Sequence, residues 1–365
     1  MIVTAEDNYK ALDAWLTGKK KVLVVHDDSL GFLTKFNAKL SSVTVPLVHF
    51  SHFHSNPLYE SVVEGVAVFR ESGCDAIIAV GGGSAIDVAK TIKLYSGMPG
   101  TGEDGAWLKG EPVPNTIPFL AMPTTAGTGS EATRYAVIYY QDAKQSITST
   151  SFIPDTVIMD PDSLSTLPLY QRKATMCDAL CHAIEAYWSV NSTDESKAFS
   201  RAAIKGVIDN MDGYLSNDPA GNAGMLLAAH KAGQAINITQ TTAGHAMCYK
   251  ITSLFGCAHG HAAILCNRIL YPWMIDNVDK CIDPRGSSYL MSVLDEIGVA
   301  MGCDGAAAGA AKLLGISQSL DLDVPGATPP EFGVLCSSVN PVRLKNHPIA
   351  LDEESIESLY VAILE

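Results

Sequence analysis

Along the first 160 positions, short β-branched and apolar runs alternate with helical stretches, the pattern that builds a parallel sheet covered by helices. Lys21 to His26 (KVLVVH) is nearly continuously apolar and runs into Asp27, Asp28 and Ser29, so it predicts a buried strand that ends in a turn. Val43 to Phe50 predicts a second strand, weakened by Pro46. Leu58 to Ser72 has helical spacing, with Val62, Val63, Val66, Val68 and Phe69 available to face a sheet. Asp75 to Val80 predicts a third buried strand, followed by three glycines and a helix from Ser84 to about Tyr95. Pro118 to Pro123 reads as another strand, and Ala136 to Tyr140 with Ser146 to Ser149 as a hairpin.

After Ile158 to Pro161 the pattern changes to long Ala-, Leu- and Met-rich segments. Lys173 to Trp188, Lys197 to Leu215, Ala223 to Ile236 and Tyr289 to Met301 all predict helices, with Gly, Pro, Asn and Asp between them. We therefore expect an α/β domain over 1–161 and an all-helical domain over 162–365. With no long linker between them, the halves should pack directly and leave a cleft for ligands.

Composition narrows the function. The chain has 365 residues, 47% of them hydrophobic and 18% charged, which places it among globular proteins and away from disordered chains. With 25 Lys and Arg against 39 Asp and Glu, the formal charge of −14 repels phosphate backbones and anionic lipid, so neither nucleic acid nor membrane is an expected partner. The N-terminus lacks a basic stretch followed by an apolar one, and no apolar run reaches the ~20 residues of a membrane span. A cytoplasmic location is expected. Nine scattered cysteines without a CxxC pair suggest neither a disulfide framework nor a thiolate zinc site.

Two polar, glycine-rich segments carry candidate chemistry in the first half. AVGGGSAIDVAK sets Gly81, Gly82, Gly83 and Ser84 between a strand and a helix, where unpaired N–H groups and the helix dipole favour a phosphate. Such turns also occur for tight packing alone, and the alternative for Asp87, expected in the first helical turn, is a charge that only complements the dipole. PTTAGTGSEAT offers Thr124, Thr125, Thr128 and Ser130 after the strand at Pro118. Two such loops at the carboxyl ends of parallel strands lie where open α/β sheets bind nucleotides. Asp27, ending the first strand, suits the adenosine ribose hydroxyls and would repel a 2′-phosphate, favouring NAD over NADP; a helix N-cap is the alternative.

In the helical half, MCDALCHAIEAYWS places Asp178 and His182 one turn apart on one helix face. GHAMCYKITSLFGCAHGHAAILC adds His245 and His259, and the position one turn after His245 is Tyr249. Singly, each histidine is as well explained as a core residue. Together the four form a carboxylate and three imidazoles suited to Fe²⁺ or Zn²⁺, with Mn²⁺ also compatible. His261, two residues after His259, should point elsewhere. A dinucleotide cradle with an open metal site is the equipment for hydride transfer between a nicotinamide and a carbonyl or alcohol.

Through GGGSAIDVAK, PTTAGTGSEAT, DALCHAIEAY and GHAMCY…CAHGHAAILC, the chain resembles the iron-containing, group III alcohol dehydrogenases along nearly its whole length. The resemblance implies a Rossmann-like dinucleotide-binding domain followed by an all-α domain, the fold shared with dehydroquinate synthases. It implies metal ligands at Asp178, His182, His245 and His259. Cofactor contacts would fall at Asp27, Gly81 to Ser84, Asp87, Thr124, Thr125, Thr128 and Ser130. A homodimer is the expected assembly. Where the family often carries a proton-transfer histidine, this chain has Tyr249, so the proton would pass through its hydroxyl, a water or the ribose. The segment SSVNPVRLKNHP is similar to that of reductases acting on two-carbon aldehydes with an anionic head, sulfoacetaldehyde or phosphonoacetaldehyde. There Arg343 and Lys345 supply cations, Asn340 or Asn346 a neutral donor, and Arg134 a second clamp. Rival readings are a lyase of the dehydroquinate synthase type, a metal-free maleylacetate reductase and a non-catalytic nucleotide-binding protein.

Overall fold

The computed structural model describes residues 2–4, 8–339 and 341–364. The chain divides into two compact units, 1–167 and 168–365.

The first unit is built on a six-stranded parallel sheet of β1 (Ile2–Thr4), β2 (Val22–His26), β3 (Leu47–Phe50), β4 (Ala76–Gly81), β5 (Phe119–Pro123) and β8 (Thr156–Met159), in the order β1-β8-β5-β4-β2-β3. β6 (Tyr135–Tyr140) and β7 (Ala143–Thr148) form a separate antiparallel hairpin. Its turn, Gln141 and Asp142, has positive φ at both residues, 50° and 59°, as a two-residue hairpin loop demands. The helices of this unit are α1 (Lys10–Leu16), α2 (Thr34–Ser42), α3 (Tyr59–Glu71), α4 (Gly83–Ser96) and the short α5 (Ala106–Lys109).

Why KVLVVH has no polar alternation is now physical: the sheet is covered on both faces. Leu23 and Val25 pack with Val62, Val66, Phe69 and Ile86 of α3 and α4, while Val22 and Val24 pack with Leu12, Leu16, Phe36 and Leu40 of α1 and α2. Two expectations are corrected. The second strand starts at Leu47, not Val43, because Pro46 has no N–H for the ladder; its carbonyl instead accepts from Val22 N at 3.0 Å. Strand structure also extends to Thr156–Met159 and includes Ile2–Thr4, paired in parallel as Val3↔Ile158.

The second unit consists of helices α6 (Leu169–Trp188), α7 (Asp194–Leu215), α8 (Pro219–Thr239), α9 (Ala243–Phe255), α10 (His259–Asp276), α11 (Ser287–Ala300), α12 (Ala306–Ser319), α13 (Pro329–Ser337), α14 (Pro341–Leu344) and α15 (Glu353–Leu364). α6 is central: residues from Ala174 to Trp188 are almost all buried, and it packs on α7, α8 and α10. Among the described residues, no helix is long and apolar enough to cross a membrane.

Candidate active site

Three helices of the second unit bring the candidate ligands together. Asp178 and His182 leave one face of α6, His245 is in the first turn of α9, and His259 is the first residue of α10. Around Asp178 Oδ1 lie His245 Nε2 at 3.4 Å, His182 Nε2 at 3.8 Å and His259 Nε2 at 3.9 Å. Asp178, His245 and His259 each present a ligand atom within 4.8 Å of the others'. His182 joins from the side, its ring stacked on that of His245 at 4.4 Å. Ligands about 2.1 Å from a tetrahedral ion sit about 3.4 Å apart, so this spacing is close to that of a loaded site.

The approach of α10 to α6 depends on Gly260. A methyl group there would overlap the Ala174 carbonyl oxygen and lie 2.7 Å from Asp178 Cβ, so any larger residue would push His259 away from the carboxylate.

The electrostatics fit a cation. Burial by itself would raise the pKa of Asp178, but His182, His245 and His259 outweigh it and hold the group well below the usual carboxylate range. Glu185, one turn after His182 on α6, is fully buried; burial opposes its ionisation too, yet His245, by charge and hydrogen bond, together with the Asn267 amide and the Thr242 N–H brings it down to about 2. Two buried carboxylates facing imidazoles need positive charge among them, which a divalent ion on one carboxylate and three histidines supplies. Glu185 was not singled out in the sequence, although DALCHAIEAY places it on the face of Asp178 and His182.

Tyr249 stacks on the His259 ring, centroids 5.2 Å apart at 13°. Cys248 Sγ lies 3.7 Å from Nδ1 of the same imidazole. His261 turns away as its spacing implied: Nδ1 lies 3.1 Å from the Tyr170 hydroxyl and Nε2 2.8 Å from the Asp323 carbonyl, at a cavity of about 480 Å³.

In the first unit, the two glycine-rich segments adjoin each other at the carboxyl ends of β4 and β5. β2 and β4 are neighbours whose connections leave in opposite directions, the switch point at which open sheets bind ligands. Asp27 lies there. It caps the following turn by accepting from Ser29 N at 3.0 Å, and its other oxygen accepts from Gly82 N at 3.1 Å. Gly81 has φ +152°, and a side chain there would collide with Asp27. Gly82 and Gly83 stand against Thr125 and Thr128, and Thr124 accepts from Ser29 Oγ at 3.2 Å. The helix begins at Gly83, so Ser84 lies in its first turn.

Asp87, expected among the cofactor contacts, is engaged within its own unit. One oxygen accepts from Ser130 Oγ at 2.6 Å and the other from Val137 N at 2.9 Å. It ties α4 to the second loop, a role the sequence reading did not assign to it. Lys90 does the same from full burial, donating to Ser130 O (2.6 Å), Ser130 Oγ (3.0 Å), Thr133 Oγ1 (3.1 Å) and Tyr135 O (2.7 Å).

Of the residues expected to hold an anion, Asn346, Lys345 and Arg134 can be placed one by one. Asn346 is buried, its Nδ2 donating to Gln240 Oε1 and the Thr241 carbonyl and its Oδ1 accepting from Asn191, so both N–H groups are engaged and none remains for a substrate oxyanion. Lys345 is exposed. Arg134 lies over the Tyr135 ring at 5.4 Å and belongs to the first unit. Asn340 and the side chain of Arg343 lie outside the described residues.

Comparison with known proteins places this arrangement. Residues 1–161 match the family model for iron-containing alcohol dehydrogenase, and residues 173–322 match the C-terminal model of the same family. The chain belongs to the iron-containing alcohol dehydrogenase family. It is 31% identical over 276 residues to a phosphonoacetaldehyde reductase of Streptomyces viridochromogenes, covering 72% of this chain and 70% of that protein. It is also 31% identical over 262 residues to an NAD-dependent methanol dehydrogenase of Bacillus methanolicus, 70% of this chain and 68% of the relative. In fold it is similar to the sulfoacetaldehyde reductase of Bifidobacterium kashiwanohense solved with NAD⁺, with a TM-score of 0.88 at 21% identity over 100% of this chain and 97% of the other. The α/β unit followed by a helical unit is the family's architecture, and this dehydrogenase is an alcohol–aldehyde oxidoreductase by membership.

Proposed function

We propose that the enzyme uses NADH to reduce a small aldehyde to its alcohol, reversibly, and that its substrate is a two-carbon aldehyde with an anionic head, sulfoacetaldehyde giving isethionate being the first choice. The observation that carries the reading is the convergence of three imidazoles on the buried Asp178 carboxylate. Asp178, His182, His245 and His259 would hold one divalent ion, Fe²⁺ or Zn²⁺, whose chemistry is to polarise the aldehyde oxygen. Gly81 to Ser84, with Thr124, Thr125, Thr128 and Ser130, would hold the pyrophosphate of NADH, and Asp27 would face the ribose. NADH, when bound, would supply the hydride for the carbonyl carbon, and Tyr249, beside His259, is the proposed donor of the proton to its oxygen. Arg343 and Lys345 are the proposed partners of the anionic head.

A second reading, phosphonoacetaldehyde, is supported by the 31% identical relative named for that activity. Sulfonate carries one charge and phosphonate up to two, so a pocket with few cations favours the former. The test is an NADH-oxidation screen with sulfoacetaldehyde, phosphonoacetaldehyde, lactaldehyde and propanal after loading with Fe²⁺, Zn²⁺ or Mn²⁺. The expected result is kcat/KM highest for an anionic aldehyde. Preference for propanal would remove the anionic class, and no oxidation with any aldehyde by the loaded protein would remove the reductase reading.

A further inference from the structure

Glu185 lies outside the set of residues that would touch an ion, yet it is the most heavily engaged carboxylate near it. Its Oε1 is 2.6 Å from His245 Nδ1 and accepts from Asn267 Nδ2 at 2.9 Å. Its Oε2 accepts from Thr242 N at 2.6 Å, Thr242 Oγ1 at 2.8 Å and His245 N at 3.3 Å. Thr242 is the residue before α9, so a side chain on α6 takes up N–H groups that the start of α9 would otherwise leave without partners. Trp188, one turn further along α6, donates its indole N–H to Thr242 Oγ1 at 2.9 Å and holds the same point. No space is left for movement: a methyl on Gly244 would collide with both Glu185 and Asn267.

We infer that Glu185 is the positioning residue for His245, setting its tautomer, its ring orientation and the placement of the helix end that carries it. A carboxylate only accepts, so the imidazole proton resides on Nδ1 and the lone pair on Nε2 is directed at the Asp178 side. A ligand histidine whose second nitrogen is fixed by a carboxylate is a better-oriented and more basic donor. Asn267, which donates to Glu185 Oε1 and to the Ala263 carbonyl at 3.0 Å, fixes the carboxylate in turn from α10. Through Glu185 and Asn267 the three helices that carry the candidate ligands are joined on the side away from Asp178.

The inference rests on the metal-site reading, and the experiment separates the two. The apparent Kd for Zn²⁺ is measured by competition with a chromophoric chelator for the wild type, His259→Ala, Glu185→Gln and Asn267→Leu. Wild-type binding of one Zn²⁺ that is lost in His259→Ala upholds the site itself; equal binding by both proteins would overturn the site and the inference with it. Glu185→Gln places an amide where both oxygens now accept, and its Kd should rise about 10- to 100-fold, with a smaller rise for Asn267→Leu. A folded Glu185→Gln protein that binds Zn²⁺ within about twofold of wild type would overturn the positioning role and leave the site standing. Should Glu185→Gln fail to fold, ¹⁵N-histidine spectra of the zinc-loaded wild type decide. A proton on His245 Nδ1, shielded from exchange, is expected, and a proton on Nε2 would refute the assignment.

Discussion

At the level of single residues, the site is defined by how little room its side chains have. His259→Ala removes one of the three imidazoles around Asp178 and should abolish both turnover and metal retention, read by metal content after gel filtration; full activity would contradict the ligand assignment. His347 poses a different problem. It is fully buried, edge-on to Trp188, and among the described residues neither ring nitrogen has a hydrogen-bond partner. Burial pushes its pKa down to about 4, against a small opposite pull from Glu185. The unfolded chain takes up this proton near pH 6.5, the native state only near 4, so the contribution to stability is complete above 6.5 and is lost as the pH falls from 6.5 towards 4. The full effect is on the order of 3 kcal/mol. His347→Phe should therefore narrow the gap in Tm between pH 7 and pH 5 by roughly 5 °C. An unchanged gap would show that His347 does not titrate in this way. Asp178 and His182 were legible as a pair because DxxxH sets them one turn apart on a helix. His245 and His259, fourteen residues apart, carried no spacing of their own and joined the set only as the residues completing it. Asn346 was misread because its partners, Asn191, Gln240 and Thr241, are brought to it only by the fold.

At the level of elements, strands were legible where both faces are buried, since an unbroken apolar run such as DAIIAV has one physical reading. β1 and β8 were not, because three or four residues gain their identity from the neighbour they pair with. The packing of one element on another was least visible. Lys90 would pass for a surface lysine on α4, yet it is buried and fastens residues 130–135 to that helix. Lys90→Met keeps the hydrophobic stem but leaves buried oxygens unsatisfied, each costing about 1–3 kcal/mol. The expected outcome is a lower Tm and roughly tenfold weaker NADH binding by fluorescence titration, with Zn²⁺ affinity unchanged; unaltered NADH affinity would mean that the loop does not depend on this tether. Gly260→Ala acts on the other unit. Overpacking where α10 meets α6 costs about 1–3 kcal/mol and displaces His259, so metal affinity should fall while NADH affinity holds.

For the whole molecule, the chemistry is divided between two stretches of chain that each form a compact unit. Every candidate cofactor contact, Asp27 to Ser130, belongs to 1–167, and every candidate metal ligand, Asp178 to His259, to 168–365. That division has a thermodynamic consequence. A ligand that binds only the native form of a unit stabilises it by RT ln(1 + [L]/Kd), about 2.7 kcal/mol at a hundredfold excess over Kd. Removing the metal with a chelator should then lower the melting temperature of the helical unit and abolish aldehyde reduction. NADH binding should persist with little change in Kd, because no group in the cradle contributes to the ion. Re-addition of Fe²⁺ or Zn²⁺ should restore the helical unit's Tm and the turnover together. If NADH affinity fell in step with metal content, the two sites would share binding determinants, and the assignment of cofactor to one unit and metal to the other would have to be redrawn.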